Sequence, residues 1–131
     1  MRALARTEHG VYEVDVETEE VLGLVHEQLP EQRFEAPFPL VLAGDAAGST
    51  MIALVDRRPP LMVSYDAGQT WNEAGAGLPP GRDVAISDEH PDLVLYAARN
   101  RLYLSEDGGR FWRVLMPELP AIEAVAWSTE A

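Results

Sequence analysis

Apolar residues alternate with polar ones in short runs broken by Gly, Pro, Asp and Asn, which is the two-residue period of strands rather than the helical period. LMVS (61–64) and LYLS (102–105) each run into an Asp-Gly turn, and TW (70–71) and FWRVL (111–115) follow those turns, so each stretch reads as a hairpin. PLVLAGDAAGSTMIALVDRRPPLMVSYDAGQTW (39–71) and AISDEHPDLVLYAARNRLYLSEDGGRFW (85–112) then each read as a unit of four strands. The pattern predicts an all-β protein built from four-stranded antiparallel units.

The two units share a motif, Ser-x-Asp-x-Gly-x-x-Trp, in which Asp66 and Asp107 stand 41 residues apart. Asp can accept hydrogen bonds from nearby backbone N–H groups, and Gly takes a positive φ at no steric cost. The Trp is expected to fold back over the hairpin, burying its ring while its indole N–H finds an acceptor. These motifs resemble the Asp-box, or bacterial neuraminidase repeat, of sialidases, sortilin-like receptors, xyloglucan-degrading hydrolases and photosystem assembly factors. The resemblance implies a β-propeller whose blades carry a box between their third and fourth strands. It also implies structural roles for Ser64, Asp66, Gly68 and Trp71, and for Ser105, Asp107, Gly109 and Trp112. The second box departs from the family at Phe111, where Thr is usual.

A worn copy precedes the two units. ALARTEHGVYEVDVETEEVLGL (3–24) resembles YAARNRLYLSEDGGRFWRVL (96–115), with Ala5 and Arg6 over Ala98 and Arg99, and Val11 and Tyr12 over Leu102 and Tyr103. Of the box only Asp15 remains, and residues 26–37 absorb extra length as a longer loop. Ala126, Trp127 and Ser128 follow Ala85, Ile86 and Ser87 by 41 residues, so a lone first strand closes the sequence. Residues 1–131 are thus expected to form one domain with blades at about 38–75, about 83–116, and about 1–25 completed by 122–128. Because closed propellers have roughly four to eight blades, three blades predict a homodimer of six, with 122–128 supplied by the partner chain. The alternative is a monomer in which the worn copy is no blade.

The chain has a net charge of −12, with ten Arg and no Lys, which disfavours general binding to nucleic acid. It has no Cys, which excludes disulfides and thiol chemistry and suits a cytoplasmic protein. No membrane span is expected, and no metal or cofactor constellation is present: His9, His26 and His90 are scattered, and GAGLPPG (75–81) places Pro where a phosphate-binding helix would start. In a propeller the turns between second and third strands and the loops between blades share one face. Arg6, Arg57, Arg58, Arg82, Arg99 and Arg101 are expected there, six of the ten Arg, near Glu8, His9 and Asp56. Guanidinium forks bind carboxylate or phosphate. The competing expectation is that these arginines are solvated or paired with Glu8, Asp56, Glu27, Glu31 and Glu35. The leading expectation for function is a non-catalytic binding or assembly scaffold presenting this face to a protein partner or anionic ligand. The alternative implied by the resemblance is glycan binding or sialidase-like hydrolysis, for which no catalytic motif is present.

Overall fold

The computed structural model describes residues 1–30, 34 and 36–128; Glu31 and Glu35 and part of the loop at 26–37 lie outside them. The described residues contain twelve strands and no helix, and so no helix long and apolar enough to cross a membrane. The strands are β1 (Arg2–Thr7), β2 (Gly10–Asp15), β3 (Glu20–Val25), β4 (Val41–Ala47), β5 (Thr50–Val55) and β6 (Leu61–Ser64), then β7 (Asn72–Ala74), β8 (Gly81–Ile86), β9 (Val94–Ala98), β10 (Arg101–Ser105), β11 (Arg113–Val114) and β12 (Ile122–Trp127). They form three four-stranded antiparallel sheets, ordered β12-β1-β2-β3, β4-β5-β6-β7 and β8-β9-β10-β11.

The worn N-terminal copy is therefore a sheet of the same order as the other two, and its leading strand is β12. Sequence reading assigned residues 122–128 to a partner chain, but here the strand pairs with β1 of its own chain, Leu4 opposite Ala126 and Ala5 opposite Val125. The outermost strands are shorter than expected. Trp71 and Trp112 are spent on the turns, each indole N–H donating to a turn carbonyl, so that strand pairing resumes only at Asn72 and Arg113.

The β8–β11 sheet is central, with β8 beside both β4 and β12. On one side Leu95, Ala97, Leu102 and Leu104 pack with Ala3, Ala5, Val14 and Val125. On the other, Val84, Ile86, Val94 and Tyr96 pack with Ile52, Leu54, Leu61 and Val63. Burial on both faces explains why β9, VLYAA, is an unbroken apolar run rather than an alternating one. The far face of the β4–β7 sheet is covered by the loop before it: Phe34 and Phe38 lie against Val55 and Met62, and Phe38 meets Trp71 edge-on at 4.9 Å. Gly44 admits the Phe34 ring, since a Cβ there would overlap it.

Polar bridges fix the sheets' spacing. Ile86 N–H donates to Asp45 Oδ2 at 2.7 Å, Val125 N–H to Asp83 Oδ2 at 2.9 Å, and Trp127 Nε1–H to the Ala85 carbonyl at 3.1 Å. The leading strands β4, β8 and β12 are thereby tied side by side.

Leu95 is fully buried, whereas Leu42 on β4 is 56% exposed. Leu95→Ala is expected to lower the unfolding free energy by about 2–5 kcal/mol, and Leu42→Ala to change it by less than about 0.5 kcal/mol, as measured by urea denaturation.

Candidate functional site

The two motif turns are closed networks. Ser64 Oγ–H donates to Asp66 Oδ1 at 2.7 Å and accepts from Gly68 N–H at 2.8 Å. Asp66 also receives the Thr70 N–H at 2.8 Å and the Thr70 hydroxyl at 2.6 Å, and Trp71 Nε1–H reaches the Gly68 carbonyl at 3.0 Å. The second turn repeats this with Ser105, Asp107, Gly109 and Trp112. It lacks only the hydroxyl bond, because Phe111 stands where Thr70 does and is 79% exposed. Gly68 and Gly109 sit at φ of +91° and +95°, a region closed to most side chains. The turns also lock to each other: Tyr65 O–H donates to the Gly108 carbonyl at 2.9 Å, and the Arg110 guanidinium lies 4.2 Å from the Tyr65 ring centre. All eight motif residues are engaged in holding their turns.

Hydrogen bonds from the Thr70 hydroxyl, the Thr70 N–H and Ser64 pull the Asp66 pKa down to about 2. At Asp107 burial pushes upward, but the Phe111 N–H, Ser105 and the Arg110 N–H together outweigh it, and the net shift is downward.

The turns β1–β2, β5–β6 and β9–β10 lie at the opposite end of the sheets, where β4, β8 and β12 begin. There Arg6, Arg82, Asp83 and Glu123 line a cleft of about 530 Å³ whose remaining wall includes Leu42 and Phe34. Arg6 lies inside β1 opposite Val11, not in the turn, because the turn is made by the next two exposed residues, Glu8 and His9. Its guanidinium is 3.6 Å from Glu123, and both side chains are about half exposed, so the pair contributes little stability. Arg82 makes no ion pair among the described residues.

The other predicted arginines stand apart from this cleft. Arg57 and Arg58 border a smaller concavity of about 220 Å³ with Asp56, and the Arg57 guanidinium reaches Met62 Sδ at 3.1 Å. Arg99 is exposed in the β9–β10 turn, and Arg101 pairs with Glu118 at 3.1 Å. Sequence reasoning thus brought two of six arginines to the cleft and missed its acids, Asp83 and Glu123. Burial raises the Asp83 pKa, against the N–H groups of Val125 and Val84 and with reinforcement from the Asp45 charge.

The cleft owes its lining to three β-bulges. Pairing skips one residue near the start of each leading strand: Leu42 on β4, Arg82 on β8 and Glu123 on β12. A bulge places two residues opposite one and re-aims side chains, which lets the neighbours Arg82 and Asp83 both reach the cleft.

No protein-family model matches the chain, and no curated protein matches it.

With the folded pKa of Asp66 at about 2 and its ordinary value at 3.8, its carboxylate stabilises the fold fully above the ordinary value. That contribution is lost as pH falls towards 2, and Asp107 acts in the same sense. Thermal melts at neutral and strongly acidic pH should show a larger loss for the wild type than for Asp66→Asn, which has no carboxylate to protonate.

Proposed function

We propose that the protein is a non-catalytic binding scaffold of the Asp-box propeller kind, whose cleft at the head of β4, β8 and β12 takes an anionic group. The observation that carries this reading is Arg82, aimed into the cleft by its bulge with no ion pair among the described residues, beside the half-exposed Arg6. Two guanidiniums that can approach one group favour a planar oxyanion such as carboxylate. The cleft's size is that of a small-molecule site. Binding is favoured over sialidase-like hydrolysis because no Tyr is among the described residues lining the cleft, and that chemistry needs one beside the arginines.

We further propose that two chains associate, giving six blades. The β4–β7 and β12–β3 sheets each pack on the central sheet, and Val21, Leu22 and Leu24 on β3 are 41%, 45% and 58% exposed. With β12 paired inside its own chain, this association joins two finished units rather than exchanging strands.

Calorimetric titration with simple carboxylates and with inorganic phosphate tests the site. Replacing Arg6 and Arg82 together by Gln is expected to weaken binding on the order of tenfold or more, while Arg99→Gln with Arg101→Gln leaves it unchanged. Equal affinity in both double variants would remove the cleft from the account. Light scattering on a sizing column is expected to give twice the chain mass.

A further inference from the structure

The three bulged residues occupy corresponding places in three sheets of one order, 40 and 41 residues apart in sequence, yet they differ completely in chemistry. Leu42 is apolar, Arg82 is a cation and Glu123 is an anion, and all three line the same cleft. Packing does not dictate them: Leu42 is 56% exposed and the Glu123 side chain 54% exposed. A repeat that keeps the backbone bulge while varying its side chain has made three different points of contact at equivalent geometry.

From this set we infer that the cleft binds a small zwitterion bearing an apolar group, of the α-amino acid class. The inference rests on the anion-binding reading above and narrows it. Arg82 receives the carboxylate through its N–H fork. Glu123, with Asp83 beside the cation site, faces the ammonium, and Leu42 with Phe34 supplies a wall for the apolar side chain. Arg6 bridges the two charge centres: it lies 3.6 Å from Glu123 and lines the cleft together with Asp83. With two arginines already facing two acids, a ligand carrying carboxylate alone leaves the cleft with one negative charge in excess, whereas a zwitterion pairs both signs. The protein's overall excess of acid, −12, penalises a pure anion further.

The test titrates the full chain with L-leucine, N-acetyl-L-leucine, L-leucinamide and glycine, followed by amide chemical shifts. Leucine is expected to bind and to shift the amides around Leu42, Arg82 and Glu123. N-acetylleucine, which lacks the ammonium, leucinamide, which lacks the carboxylate, and glycine, which lacks the apolar group, should each bind on the order of tenfold more weakly. Glu123→Gln should weaken leucine while N-acetylleucine binds at least as well as before, and Arg82→Gln should weaken leucine while leucinamide binds at least as well as before. If N-acetylleucine binds as tightly as leucine, the zwitterion assignment is wrong and the anion reading stands. If neither perturbs the cleft, both are wrong.

Discussion

The pairing of β12 with β1 joins the last strand to the first and sets the geometry of everything at the leading-strand end. Without it, β1 would present an open edge of unpaired N–H and C=O groups, and β8 would lose the neighbour that covers one of its sides. Three further contacts depend on the same placement. Val125 N–H reaches Asp83, the Trp127 indole reaches the Ala85 carbonyl, and Ile122 enters the core with Leu95 and Leu115. Glu123 is in the cleft only because the strand that carries it is in the sheet.

The two ends of the sheets divide the work. At one end the Ser-Asp-Gly-Trp turns satisfy their own polar groups and clasp one another through Tyr65, Gly108 and Arg110, leaving little free chemistry. At the other end the strands start with bulges, and charged side chains of both signs stand at the cleft. The cleft's side chains stand on strands, and groups held by strands are positioned more closely than groups on loops. Arg113 extends the clasp to the remaining sheet by pairing with Glu19 at 3.1 Å, so all three sheets are tied at that end.

Much of this was legible in the residues. Alternation predicted the strands, and the duplicated motif predicted the third turn of two sheets, with its Asp accepting backbone N–H groups and its Trp N–H reaching an acceptor. The 41-residue return of Ala126 and Trp127 identified β12 as a leading strand. What it did not show was which copy of β1 the strand would join, because a repeat specifies a partner type and not a partner chain. The cleft was only half legible. Turn chemistry drew attention to arginines near turns, yet Arg6 lies in a strand, and Arg57, Arg58, Arg99 and Arg101 stand apart from the cleft. Bulges were the missing signal: they depend on pairing register, which alternation alone does not reveal, and they selected Leu42, Arg82 and Glu123. Comparing residues at equal repeat phase would have raised Glu123, which follows Arg82 by one period.

Everything at the leading-strand end follows from β12 closing the sheet of its own chain. Isotope-filtered nuclear Overhauser spectra on an equal mixture of labelled and unlabelled chains, refolded together, test it directly at the contacts between Leu4 and Ala126 and between Ala5 and Val125. These contacts are expected to arise within single chains and to be absent from the labelled-to-unlabelled subspectrum. Their appearance only between chains would mean that the strand is exchanged, and the cleft would then be shared between two molecules.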